Sequence, residues 1–179
     1  MYYSTNYLSP IGKLTLACDT NNLVGLWLEG QKYYGGAIAK TMLENNDMPV
    51  FAVVKQWLDR YFAGEKPAIS ELALAPIGGD FRQVVWKLLC EIPYGTVITY
   101  GDIAKKAALK LHKQSMSSQA IGGAVGHNPI SIIIPCHRVV GVKGSLTGYA
   151  GGVNTKVKLL ELEGVDMSRL FVPTEGTAL

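Results

Sequence analysis

The stretch Ile132-Ile133-Ile134-Pro135-Cys136-His137-Arg138-Val139-Val140 constrains this chain more than any other. Three β-branched residues run into a proline. Proline has no N–H to give to a central strand, so an apolar run must stop there. A cysteine and a histidine follow at once, and two valines then resume the apolar pattern. A polar, reactive pair therefore sits at a break inside a segment that reads as buried. Such a place holds a thiol rigidly beside a pocket. A buried core cysteine next to a satisfied histidine is the plainer reading of the same pair, because free cysteine is among the most buried residue types.

The N-terminal part reads as β-structure followed by a helix. Leu14, Leu16 and Cys18 alternate with Lys13, Thr15 and Ala17, the period of a half-buried strand. Asp19-Thr20-Asn21-Asn22 is a turn cluster before a second run from Leu23 to Leu28, and with a first strand around Tyr2, Tyr3 and Tyr7 these form a small antiparallel sheet. Residues 31–47 carry no clear period. Phe51, Val54, Trp57, Leu58, Tyr61 and Phe62 then recur at helical spacing, with Gly64 placed to cap the end. Nothing in residues 1–76 carries evident chemistry, and residues 75–79 read as a linker.

Beyond the linker, Asp80-Phe81-Arg82-Gln83 has the spacing of a capping box, and an amphipathic helix follows it. A short strand reaches Thr99. Two helices come next, one from about Tyr100 to Leu109 and one starting near Ser117 or Ser118. The second carries Gly122 and Gly123 side by side, at a cost of roughly 1 kcal/mol each against alanine. Close approach of another backbone is the usual compensation. The pair fits either a helix-turn-helix or an ordinary helical hairpin. A glycine-rich loop at residues 148–152 leads to a last helix from about Asn154 to Glu163. Glu161 and Glu163 in its final turn oppose the helix dipole, which marks them for attention beside the plain reading of solvated surface charges. Residues 167–179 read as a tail with little structure.

Charge and cysteine content narrow the function. Lys and Arg number 6 against 7 acidic residues in 1–76, but 11 against 7 in 77–179. The second part is mildly basic, compatible with a phosphate-bearing partner. The three cysteines, Cys18, Cys90 and Cys136, are widely spaced and odd in number, which fits neither a disulfide framework nor a zinc site. No signal peptide opens the chain and no apolar run approaches the ~20 residues of a membrane span. The expectation is a reduced, cytoplasmic protein with no membrane partner. A thiol needs an adjacent base to become a strong nucleophile. Strand neighbours point to opposite faces, so coupling His137 to Cys136 requires a bent backbone or a bridging water. A carboxylate behind the histidine would fix its tautomer, and Glu163 is a candidate.

The run from Asn128 to Val139 resembles the signature of the O6-alkylguanine-DNA alkyltransferases, also called methylated-DNA–protein-cysteine methyltransferases. Pro93-Tyr94-Gly95, Thr99-Tyr100, Ile121-Gly122-Gly123-Ala124, Tyr149-Ala150-Gly151-Gly152, Leu159-Leu160 and Glu163-Gly164 support it in the same order. The resemblance is strong over about residues 78–165 and is carried by length and architecture before that. It points to the single-function bacterial form. It implies an α/β ribonuclease-H-like domain over 1–76, and a mostly helical, winged-helix-like domain with a helix-turn-helix over 77–166. It further implies a monomer that binds double-stranded DNA through the minor groove and turns the damaged base out of the stack. Cys136 would then take the alkyl group from O6-alkylguanine, and O4-methylthymine is a possible second substrate. His137 would accept the thiol proton through a water, backed by Glu163, and Tyr100 would assist the leaving guanine. The carbonyls of Cys136 and Val139 would read the guanine amino group, backbone near Ala150 would contact O6, and Tyr149 and Val125 would line the pocket. Asn128 would tie the second helix to the cysteine loop, while Ser118, Gln119, Ala120, Gly122 and Gly123 would face DNA. No metal or cofactor is implied, and the cysteine is used once.

One position departs from the family pattern. An arginine usually stands near the start of the second helix, where it fills the gap left by the turned-out base, and here Gln119 stands instead. Glutamine lacks the charge and the planar fork. Arg138 fits an ion pair as well as a DNA contact. Three other readings remain. A non-catalytic lesion-binding relative would lack the cysteine. A helix-turn-helix regulator would prefer a defined sequence. A cysteine hydrolase would turn over.

Overall fold

A computed structural model describes residues 1–175 of the 179. It falls into two compact units. The first comprises Met1–Ile77 together with Pro129–Ile133, and the second comprises Gly78–Asn128 and the chain from Ile134 onward. The central stretch is thus divided between them, which no contiguous boundary near residue 77 anticipates.

The first unit is a four-stranded sheet with one long helix. Strands β1 (Tyr2–Ser9), β2 (Gly12–Cys18) and β3 (Leu23–Leu28) form an antiparallel meander. A short β4 (Met42–Glu44) pairs with β1 in parallel, giving the order β3-β2-β1-β4. The expected sheet was purely antiparallel, and β4 lies in the region without a clear period. Three residues are too few to show a period of two. Helix α1 (Pro49–Phe62) has proline at its start, where the missing N–H costs nothing. Phe51, Val54, Trp57, Leu58 and Tyr61 are buried along one stripe, each worth roughly 1.5–3 kcal/mol. Its end is a Schellman motif: Gly64 N–H bonds Tyr61 O and Glu65 N–H bonds Arg60 O.

The second unit is mostly helical. Helices α2 (Asp80–Cys90), α3 (Tyr100–Lys110) and α4 (Ser118–Gly126) pack pairwise on one another. Trp86 of α2 is fully buried and donates its indole N–H to the Ala124 carbonyl of α4 at 2.9 Å. The expected capping box at Asp80 does not form. Gly79 is the N-cap, and Asp80 is the first helical residue, where its charge faces the positive helix end without a side-chain cap bond. Thr99 caps α3 and Ser117 caps α4, each accepting the backbone N–H three residues on. Strands β5 (Ile98–Thr99) and β6 (Val139–Val140) pair in parallel and bring the start of α3 beside the segment after Cys136.

Helix α5 (Val153–Leu162) ends in a second Schellman motif, with Gly164 at φ 73°. The expected structureless tail starts ordered. Met167–Arg169 is a 3-10 turn, and Phe171 exchanges backbone bonds with Gly144 and Leu146. Leu170 and Met167 pack on the buried cluster of Val140, Leu146 and Leu160, and that contact holds the segment in place. The end of the expected tail, 176–179, lies outside the described residues. Among the described residues no helix is long and apolar enough to cross a membrane, and no three His, Cys, Asp or Glu side chains gather as a metal site.

Candidate active site

The isoleucine run is not a strand. Ile130 makes one bridge to Leu26, and the backbone then turns twice. Ile133 N–H bonds Ser131 O at 2.8 Å around Ile132, whose φ is 70°. That is a γ-turn with a β-branched residue at its centre, a conformation that stores roughly 1–3 kcal/mol. Next, Cys136 N–H bonds Ile134 O at 2.8 Å around Pro135 at φ −82°, ψ 63°, an inverse γ-turn. Cys136–Arg138 then forms a 3-10 turn that leads into β6. This is the bent backbone that the adjacent Cys-His pair requires.

Every side chain of that turn is buried: Cys136 at 4% exposed, His137 at 0% and Arg138 at 6%. Asn128, just past α4, donates through Nδ2 to the Ile134 carbonyl at 2.8 Å and to Cys136 Sγ at 3.1 Å. Burial pushes the Cys136 thiol up, against the Asn128 amide and the Lys156 charge, which both favour the thiolate. His137 Nε2 lies 2.7 Å from Glu163 Oε1. Its Nδ1 is buried with no hydrogen-bond partner among the described residues. Burial pulls the imidazole below its ordinary value, while the Glu163 carboxylate pulls it back up. The neutral tautomer with hydrogen on Nε2 leaves Nδ1 as a base.

Glu163 is the C-cap residue of α5, so its side chain leaves the helix axis and turns inward. Arg138 grips it in a fork, Nε to Oε2 at 2.8 Å and Nη2 to Oε1 at 3.0 Å. Gly95 N–H adds a bond to Oε2 at 3.2 Å. Burial works to raise the carboxyl, but the bonds and charges of His137 and Arg138 outweigh it and bring it down to about 2. The oddity of a glutamate at a helix C-terminus is thereby resolved as a buried ion pair. Glu161 stays exposed, as a solvated charge should. Arg138 is an ion-pair residue, not an exposed one.

Lys156 has no counterpart in the sequence reading. It is 0% exposed and donates to the carbonyls of Val139 and Thr147. Burial lowers its ammonium to about 8, while the Cys136 charge raises it. The signal was present in the helical period: Lys156, Leu159, Leu160 and Glu163 follow at i, i+3, i+4 and i+7, all on one buried face. The Val139 carbonyl thus already accepts one hydrogen bond from Lys156.

Tyr100 opens α3, and its hydroxyl reaches the carbonyls of Thr147 and Gly148 at 3.3 and 3.4 Å. Burial and the nearby Cys136 charge both raise its phenol. Tyr149 stands edge-on to His137, ring centroids 6.5 Å apart, with its hydroxyl buried and unpartnered among the described residues. Gly148 has φ 70°, and a Cβ there would lie 3.0 Å from the Tyr100 hydroxyl. Gly148→Ala is expected to cost roughly 1–2 kcal/mol through the left-handed backbone alone. A lower urea midpoint with an unchanged slope would show it.

Val125 is buried in α4, and Ala150 is half-buried in the loop. Ser118, Gln119, Ala120 and Gly123 are exposed on α4, and Gly122 is half-buried. The expected close approach of another part of the chain to Gly122 and Gly123 is not there. A Cβ on either would meet nothing within 4 Å. The small face is open to something outside the chain.

Comparison with known proteins covers most of the chain. Residues 80–165 match the family described as 6-O-methylguanine DNA methyltransferase, DNA binding domain. Residues 1–76 match its ribonuclease-like domain. A methylated-DNA–protein-cysteine methyltransferase from Haemophilus influenzae is 40% identical over 91% of this chain and 87% of its own length. One from Methanosarcina acetivorans is 42% identical over 92% and 99%. The crystal structure of Mycobacterium tuberculosis OGT in complex with DNA superposes with a TM-score of 0.76 at 40% identity, covering 94% of both chains.

Proposed function

The chain belongs to the 6-O-methylguanine DNA methyltransferase family, with its ribonuclease-like domain first and its helical DNA-binding domain second, and we propose that Cys136 is the residue that takes the alkyl group. The substrate is O6-alkylguanine in double-stranded DNA, with O4-methylthymine as a second candidate. The observation that carries the residue assignment is the buried turn at Cys136. Its thiol accepts from Asn128, and the next residue is a histidine bonded to Glu163, whose other ring nitrogen has no hydrogen-bond partner among the described residues.

The chemistry follows from those atoms. The Cys136 proton passes through a water to His137 Nδ1, and Glu163 steadies the imidazolium that forms. Sγ attacks the alkyl carbon in line with the C–O6 bond. An S–C bond forms as the C–O6 bond breaks, and its electron pair stays with the base. Tyr100 gives a proton to the departing guanine and regains one through solvent as the His137 imidazolium releases its own, so the base leaves neutral and both side chains return to their starting state. In donating, Tyr100 gives up its long bonds to Thr147 and Gly148. The thioether is stable, so each molecule acts once and needs no metal or cofactor. The carbonyls of Cys136 and Val139 read the guanine amino group, backbone at Ala150 contacts O6, and Tyr149 and Val125 line the pocket.

Helices α3 and α4 act as a helix-turn-helix in a winged-helix-like domain. The α4 face made by Ser118, Gln119, Ala120, Gly122 and Gly123 enters the minor groove, where a helix without bulky side chains can approach the sugar-phosphate walls. The target base turns out of the duplex, because its O6 carbon is unreachable in the stack. Gln119 fills the space it leaves, by shape and neutral hydrogen bonds. Gln119→Arg is expected to tighten DNA binding through the added charge, with a steeper salt dependence by about one phosphate contact. Unchanged affinity across a salt series would make the position neutral.

The test is intact mass after incubation with duplex DNA carrying one O6-methylguanine. The expected result is a single methyl group per protein, with no further repair when lesion is in excess. Continued turnover would favour a hydrolase, and an unchanged mass on folded, reduced protein would refute the proposal.

A further inference from the structure

Glu163 answers two side chains, a histidine and an arginine. Its Oε1 meets His137 Nε2 and Arg138 Nη2, and its Oε2 meets Arg138 Nε and Gly95 N–H. Arg138 is itself fixed at its other edge. Nη1 donates to the Ile92 carbonyl at 2.6 Å, and the guanidinium lies 5.6 Å from the centre of the Tyr94 ring. His137, Arg138 and Glu163 are buried, and an arginine stays charged there.

A buried carboxylate demands a counter-ion. If His137 were its only neighbour, the imidazole would take a proton and become that counter-ion. An imidazolium cannot then accept the proton of Cys136. With Arg138 present the demand is already met. The groups around His137 are Glu163 at the end of α5, Lys156 within α5, Arg138 and Cys136 on the turn, and Tyr149 on the glycine-rich loop. Tyr94 faces both Glu163 and Arg138 from the loop after α2, and Cys90 at the end of α2 faces Arg138. Two cations against one carboxylate oppose a third positive charge on the ring.

We propose that Arg138 is a positioning residue for the transfer reaction: as the permanent counter-ion of Glu163 it leaves His137 neutral, with Nδ1 able to take the thiol proton. The idea deepens the reaction proposed above and rests on it for its consequence, but the charge state of His137 can be read without any reaction. The test is an NMR titration of protein with isotope-labelled histidine. The chain has three histidines, and the signal lost in His137→Gln identifies the buried one. In the native protein His137 stays neutral down to a pH below the usual histidine midpoint near ~6.5. In Arg138→Gln the midpoint moves up by at least about one pH unit, a tenfold gain in proton affinity, with Arg138→Lys in between. The acid limb of the single-turnover repair rate moves with it, and the rate recovers at higher pH. An unmoved His137 midpoint in a folded variant, or a rate lowered equally at every pH, would overturn the proposal and leave Arg138 a purely structural group. Should Arg138→Gln fail to fold, Arg138→Lys decides the question: it loses the two-point fork on Glu163, so the His137 midpoint moves up, and an unmoved midpoint overturns the proposal. If the native protein transfers no methyl group, the titration alone still decides the role of Arg138, and only the reaction assignment falls.

Discussion

Cys136→Ala is expected to abolish methyl transfer while leaving a folded protein that still binds lesion-bearing duplex. The reasoning is chemical before it is structural. Only this thiol has a base beside it and donors that favour its ionised form, the Asn128 amide and the Lys156 charge. Cys18 and Cys90 are both pushed up to about 11 by burial, and neither is adjacent to a histidine. They cannot substitute for it. Removing the proposed nucleophile from a site whose parts act as a unit costs on the order of 10^6 in rate. The structural cost is small, because cysteine behaves as a small hydrophobe and the Asn128 amide keeps its bond to Ile134. A stability change under about 1.5 kcal/mol follows. The pair of measurements is intact mass and a binding isotherm on DNA with one O6-methylguanine. Methyl transfer that persists in the alanine variant would remove Cys136 from the mechanism.

The reach of the sequence follows from how local each feature is. Helix α1 was legible because its buried stripe and its Gly64 cap are written within one window. Thr99 and Ser117 caps are likewise local. The break at the adjacent Cys-His pair was legible too, since the proline beside it interrupts any strand. Three things were hidden. The isoleucine run reads as a strand, but its turns depend on Asn128 reaching forward to the Ile134 carbonyl, a contact that no hydropathy period reports. The short β4 exists only because β1 offers it an edge. Lys156 was overlooked because lysine is expected in water. Its helical register with Leu159, Leu160 and Glu163 was the available clue, and the two carbonyls that hold it come from segments 9 and 17 residues away. Gly122 and Gly123 show the opposite case. Their cost is visible in the sequence, and among the described residues nothing packs where a Cβ on either would stand.

Glu163→Gln should be the most destabilising single-atom change in the molecule. The glutamine side chain has nearly the same shape, but it exchanges a carboxylate oxygen for an amide that donates. Oε2 now accepts from Arg138 Nε and Gly95 N–H, and Oε1 from His137 and Arg138. Whichever way the amide turns, its NH2 group faces donors. Arg138 is left charged and buried without a counter-ion, and breaking such a pair costs about 3–5 kcal/mol. For a chain of this size that lowers Tm by about 10 °C. The pH dependence has a definite sign. The native carboxyl sits at about 2, below its ordinary 4.5, so its contribution to stability is complete above about 4.5 and is lost as pH falls toward 2. The gap between native protein and variant should therefore be constant near neutrality and should close between about pH 4.5 and 2. Transfer in the variant should also slow by roughly 10^2-fold or more, since His137 loses the group that orients it. Denaturant unfolding at pH 7 and at pH 3 separates the outcomes. A variant within about 1 kcal/mol of the native protein at pH 7 would mean that Arg138 finds another partner, and the account of the buried network would fail.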